Sequence, residues 1–276
     1  MAGLLSAVEQ DTTLEAWEPL SWGLPGQGEP AEDCGKYRPR WVCAGERVVW
    51  LCRRECRRRE CPYCYLAWAR GEARIAARRI LLHPTGGIAT RHGIVSPAPG
   101  WAPTAAEYDT ARRQMYLSLR AEGWTGYCVV YHPYRGRDTG EARKCYDVPG
   151  GHWHVTGWKE IGPTTPQFPP GWFYQNDEIR QGASDHDRLV STLEYELDHA
   201  GVRQDRHSII WVGGLSYRKI PKDEDEPRGA PPSCPTCKEP LMEADWRIEV
   251  AGGLAYFPRD CDGVVVTMPV AEWPGA

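Results

Sequence analysis

Long apolar runs are missing from this chain of 276 residues. No stretch comes near the ~20 consecutive apolar residues that a membrane-crossing helix needs. The opening segment MAGLLSAVEQDTTLEAWEPL has little positive charge and too brief an apolar run for a secretory signal. The expectation is a cytoplasmic protein with no membrane partner. There is no internal repeat, no low-complexity tract and no P-loop, so neither a solenoid nor a built-in helicase motor is encoded. Phenylalanine is scarce, three residues against 13 tryptophans. Tryptophan fills cores and also stacks on bases, so its abundance fits either use.

What is present reads as a soluble globular chain rich in loops. It is 41% hydrophobic and 25% charged, with 24 prolines and 29 glycines, which favours short strands and turns over a helical bundle. The net charge of −4 conceals an asymmetry. From Lys36 to Arg91 there are 14 Lys and Arg against four Asp and Glu, so the remainder is strongly acidic. A basic segment on an acidic protein reads as a local nucleic-acid contact. Eleven cysteines, an odd number and several set among arginines, point to zinc binding rather than a secreted disulfide framework.

The pattern divides the chain into five parts. Residues 1–33 are a polar, flexible segment, and 34–82 hold a zinc-knuckle and a basic helix. That helix has Leu66, Ala69, Ala73, Ala76 and Ile80 on one face and Arg70, Arg74, Arg78 and Arg79 on the other. Residues 83–220 form the main domain. Within it, RHGIVSP, GYCVVYHPYR, GHWHVTGWKEI, WFYQ and HSIIWVGGLSY read as strands. A helix begins at the capping box Thr104–Glu107 and stops at Gly123; another runs from Ser184 to His199. PKDEDEPRG at 221–229 is an acidic linker, and 230–276 is a small cysteine-containing module. The order of elements is an α+β layout, an antiparallel sheet with helices on one face.

Two motifs in the main domain carry chemistry. His152 and His154, at i and i+2 of a strand, point to the same face and can reach one metal ion. In SDHDRLVSTLEYELDHA, Leu189, Val190, Leu193 and Leu197 form the packing side of the helix, which leaves Tyr195 and His199 together on the other. His199 with His152 and His154 makes three nitrogen ligands with open positions, suited to Mn²⁺ or Mg²⁺ and able to accept Zn²⁺, Co²⁺ or Ni²⁺. Tyr195 beside such an ion is placed to attack a phosphodiester, and Arg188 to clamp the phosphate.

GHWHVTGW resembles the two-histidine motif of the HUH endonucleases, and STLEYELDHAGV resembles their tyrosine motif. RHGIVSP and GYCVVYHPYR are similar to the preceding strands in rolling-circle replication initiators of archaeal plasmids and viruses. The resemblance covers roughly residues 34–218. It implies an RRM-like antiparallel sheet (the HUH fold), a divalent cation, and site-specific nicking and joining of single-stranded origin DNA through a 5′-phosphotyrosine at Tyr195. With no motor of its own, such an enzyme would rely on a host helicase and polymerase. The chain departs from the family at Trp153, where a small hydrophobic residue is usual, and in having no second tyrosine one turn from Tyr195.

Cys61-Pro-Tyr-Cys64 has zinc-knuckle spacing, with partners to come from Cys34, Cys43, Cys52 and Cys56. The resemblance favours Cys34 and Cys43. Cys234-Pro-Thr-Cys237 is a second knuckle to which Cys261 could add. Arg53, Arg54, Arg57, Arg58 and Arg59, interleaved with the cysteines, are expected to grip DNA phosphates. Two other readings stay open: a zinc-finger regulator in which the histidines and tyrosine are incidental, and a transposase or relaxase of the same chemistry.

Overall fold

The computed structural model describes residues 19–43, 48–84, 89–137, 145–160, 168–179, 185–220, 233–250, 253–258 and 266–268. Its elements in chain order are β1 (Tyr37–Cys43), β2 (Val48–Arg53), α1 (Tyr65–Leu82), β3 (Ala89–Ser96), α2 (Ala105–Ala121), β4 (Trp124–Arg137), β5 (Cys145–Lys159), β6 (Phe173–Glu178), α3 (Asp185–Asp198), β7 (Ile209–Gly213), β8 (Met242–Val250), β9 (Gly253–Pro258) and β10 (Val266–Met268). They divide into two compact units. One comprises Met1–Glu29 with Arg57–Pro221, and the other Pro30–Cys56 with Lys222–Ala276.

The first unit is α+β, as expected, around a five-stranded antiparallel sheet of order β6-β3-β5-β4-β7. The helices, however, lie on both faces. Strand residues alternate between faces, and in β4 both alternating sets are apolar, so both faces need cover. Cys128 and Val130 pack with Ala69, Ala73, Ala76, Ala77 and Ile80 of α1 and with Leu189, Leu193 and Leu197 of α3. Tyr127, Val129 and Tyr131 point the other way, where Trp153 and Val155 of β5 join Tyr108, Met115 and Leu119 of α2. Trp22 belongs to this second core, and the Gly23 N–H donates to the Val202 carbonyl at 3.1 Å. This part of the N-terminal segment is therefore packed rather than flexible.

Local signals act as read in α2. Thr104 Oγ1 accepts from the Glu107 N–H, the Glu107 carboxylate accepts from the Thr104 N–H, and Gly123 ends the helix at a φ of 84°. In α1 the buried stripe is Ala69, Ala73, Ala76, Ala77 and Ile80. Leu66 was expected in that stripe but is 48% exposed, because it sits in the first turn, ahead of the packed part of the helix.

In the second unit β1 pairs with β2 and with β8, giving the order β10-β9-β8-β1-β2. These strands were not anticipated, since the cysteines and arginines of 34–64 and the short apolar runs of the C-terminal region mask any alternation.

Candidate metal centre and nucleophile

Strand register builds the centre. On β4 and β5, His132 and His152 are directly opposed, and His154 follows two residues along the same face, opposite Val130. All three continue the series Cys128–Val130 that faces α1 and α3, so they lie beneath α3. They are 2%, 8% and 3% exposed, and their ligand nitrogens fall within 4.8 Å of one another.

Hydrogen bonds orient each ring. His152 Nδ1–H donates to the Gly150 carbonyl at 2.8 Å, which leaves Nε2 as its ligand atom. His132 Nε2–H donates to the Glu196 carbonyl of α3 at 2.6 Å and leaves Nδ1. His154 Nδ1 lies 2.8 Å from His92 Nε2, while its own Nε2 is buried with no hydrogen-bond partner. A buried nitrogen without a partner is costly, and a metal ion would satisfy it. Burial holds all three imidazoles below their usual pKa, His152 at about 4, so they are neutral and ready to ligate. The residues therefore fit a divalent cation.

His199, expected as the third ligand, does not fall within this group. Its Nδ1–H donates to the Tyr195 carbonyl at 2.9 Å, and its ring lies tilted at 39° against Tyr146 with centroids 3.7 Å apart. At the end of α3 it lies beside the group, 6.1 Å from His132 between centroids. His132 takes its place because cross-strand pairing brings that side chain directly opposite His152.

Tyr195 stands where the helix pattern puts it. α3 packs through Leu189, Leu193 and Leu197, and Tyr195 on the other side is 49% exposed. Its ring is 6.2 Å from His154, 6.4 Å from His132 and 5.0 Å from His199. A phenol half in solvent at the rim of a histidine cluster can meet an incoming phosphate. Comparison with protein-family models, curated proteins and solved structures returned no match. The centre is therefore read from its own geometry.

Four further residues surround it, none of them picked out from the sequence. Glu196 is fully buried; its carboxylate accepts from Thr156 Oγ1 at 2.6 Å and lies 3.5 Å from His92 Nε2. Burial pushes its pKa up to about 8. His92, Glu196 and Thr156 thus form a shell behind His154, and His92, His154 and Glu196 also lie close enough to form a metal-binding group. Tyr146 is hydrogen-bonded to Tyr195, and burial together with that bond raises its pKa. His92 and His132 lie in segments recognised only as strands.

Trp153, the unusual middle residue of the motif, is harmless to the centre. The β alternation turns it to the opposite face, against Trp101, Tyr108, Tyr131 and Trp172. Gly151 is needed there, since a Cβ would come within 2.3 Å of Tyr131 Oη.

The cysteines sort differently from the expectation. Cys61 and Cys64 are buried in the first unit, whereas Cys34, Cys43 and Cys56 belong to the second. Cys43 ends β1, where Val42 pairs with Met242, and this register carries it to Cys234 and Cys237 instead. Cys261 lies outside the described residues.

The arginines also divide. Arg59 is structural: it donates to the Arg206 carbonyl at 3.0 Å, to Ser208 Oγ at 2.9 Å and to the Arg203 carbonyl. Its guanidinium is held by acceptors, which removes it from the expected phosphate grip. Arg54 pairs with Asp33, and Arg57 and Arg58 are exposed. Arg53 lies at the end of β2, opposite Tyr37. Arg188 lines a cavity of about 580 Å³ with His92, Asp177, Asp187, Ser191 and Thr192, beside the centre. Among the described residues, no helix is long and apolar enough to cross a membrane.

Proposed function

We propose that this chain is a cation-dependent endonuclease that nicks single-stranded DNA with Tyr195 and rejoins it, as an initiator of rolling-circle replication of the HUH type. The observation that carries this reading is the half-exposed Tyr195 ring about 6 Å from a buried, neutral three-histidine cluster with one nitrogen lacking a partner.

His132, His152 and His154 would hold the cation, Mn²⁺ or Mg²⁺. When bound, it supplies positive charge against a non-bridging phosphate oxygen as phosphorus becomes five-coordinate. Tyr195 Oη attacks phosphorus, the P–O3′ bond breaks, and the phenol loses its proton while the leaving oxygen gains one as a 3′-hydroxyl. The product is a 5′-phosphotyrosyl link. Tyr146, hydrogen-bonded to Tyr195, fixes the phenol before attack. Attack by a 3′-hydroxyl on the same phosphorus reverses the bond changes, releases Tyr195 and joins the strand. Arg188 stands in the adjoining cavity to bind a phosphate of the same strand. Zn²⁺ at the Cys61–Cys64 knuckle, with Arg57 and Arg58 nearby in sequence, would present the chain to DNA.

The test is incubation of the protein with a single-stranded library and Mn²⁺, followed by a denaturing gel. A covalent protein–DNA band that needs the metal supports the reading. Sequence-selective binding without such a band would favour a zinc-containing regulator.

A further inference from the structure

We infer that Cys43, Cys234 and Cys237 form a separate metal site for a thiophilic divalent ion such as Zn²⁺, and that this ion ties β1 to the segment following the acidic stretch. The site stands apart from the nicking reaction and does not depend on that reading.

The three sulfurs lie within 4.8 Å of one another, with Cys43 Sγ 3.4 Å from Cys237 Sγ. Sulfurs around one tetrahedral zinc, each at about 2.3 Å from it, sit about 3.8 Å apart, so the spacing suits a shared ion. Cys43 and Cys234 are each 1% exposed, and Trp41 and Leu241 pack around them. Residues 191 apart in sequence would not bring two reduced thiols into one apolar pocket by local preference; the β1–β8 register does so.

The turn carrying Cys234 and Cys237 is shaped for thiolates. Cys234 N–H donates to the Glu239 carbonyl at 2.7 Å, Lys238 N–H donates to the Cys234 carbonyl at 2.9 Å, and Lys238 takes a φ of 64°. This curl aims the backbone N–H groups of Cys237 and Thr236 at Cys234 Sγ, and that of Glu239 at Cys237 Sγ. Three sulfurs this close cannot all carry charge without a cation among them. A divalent ion removes the conflict and uses the N–H groups as support for its ligands. Among the described residues the group contains three ligands, so the fourth position is left to water or to a donor outside them.

One consequence separates this site from a self-contained C-terminal finger. Two of the ligands follow the acidic stretch and the third ends β1, so the C-terminal segment cannot build the site alone.

The experiment is native thiol alkylation of the full-length, zinc-loaded protein, with peptide mass spectrometry and zinc analysis, before and after a chelator. Cys43, Cys234 and Cys237 should be protected as a set and should all become reactive when zinc is removed. Cys43→Ser and Cys234→Ser should each lower the zinc content by one equivalent, the double variant by no more, and Cys61→Ser by a different one. The inference is overturned if Cys43 reacts independently of the other two, or if the single losses add. It is also overturned if a reductant, rather than a chelator, exposes them, since that would show a disulfide.

Discussion

At the scale of single residues, the histidines differ from surface histidines in being neutral before any ion arrives. His132, His152, His154 and His92 are all held below their usual pKa, chiefly by burial. Three of them offer lone pairs on one face, and His199 lies beside that group. His154→Ala should abolish tight Mn²⁺ binding measured by titration calorimetry, whereas His199→Ala should leave it within a few-fold. Equal loss in both would restore His199 as a ligand. Behind the ligands, His92→Ala or Glu196→Gln should weaken Mn²⁺ binding by roughly 10–100-fold, the usual effect of removing an outer-shell partner. Unchanged affinity would make that shell a packing feature only. His152, His154 and Tyr195 were legible in the sequence because each declares itself within one element, by i, i+2 spacing or by helix face. His132, His92, Tyr146 and Glu196 were not. Their positions depend on which residues face each other across strands, or on burial under a helix, and a linear pattern records neither.

At the scale of elements, β5 separates two tasks by alternation. His152, His154 and Thr156 face α3, and Trp153 and Val155 face α2. Trp153→Ala should cost about 3–5 kcal/mol in a denaturant titration, as expected for an aromatic removed from a packed core. A cost below 1 kcal/mol would contradict the packing described here. Thr104→Ala should cost about 1 kcal/mol through loss of the α2 cap. The cap, the glycine stop and the leucine face of α3 could all be read in advance, since they are local chemistry. That helices cover both faces could not be read so directly, although the apolar residues at both parities of β4 hold the information.

At the scale of the whole molecule, the basic segment is less of a DNA surface than its composition implied. Arg59 and Arg79 donate to backbone carbonyls, and Arg54 and Arg70 pair with Asp33 and Glu194. Among the described residues, Trp22, Trp124, Trp153 and Trp211 are likewise buried in cores rather than presented to bases. If Arg57 and Arg58 contact phosphates, Arg57→Ala and Arg58→Ala should each reduce the salt dependence of single-strand binding by about 0.7 in log–log slope. Arg59→Ala should instead lower the melting temperature. An unchanged slope in the first two would move the DNA contact elsewhere.

The central claim is that Tyr195 forms a covalent link to DNA beside a histidine-bound cation. Its most direct test is to form the adduct with Mn²⁺, digest it, and find the nucleotide-bearing peptide by mass spectrometry. The account predicts the modification on Tyr195, and no adduct from Tyr195→Phe or His154→Ala. Modification at another residue, or an adduct that survives in Tyr195→Phe, would contradict it.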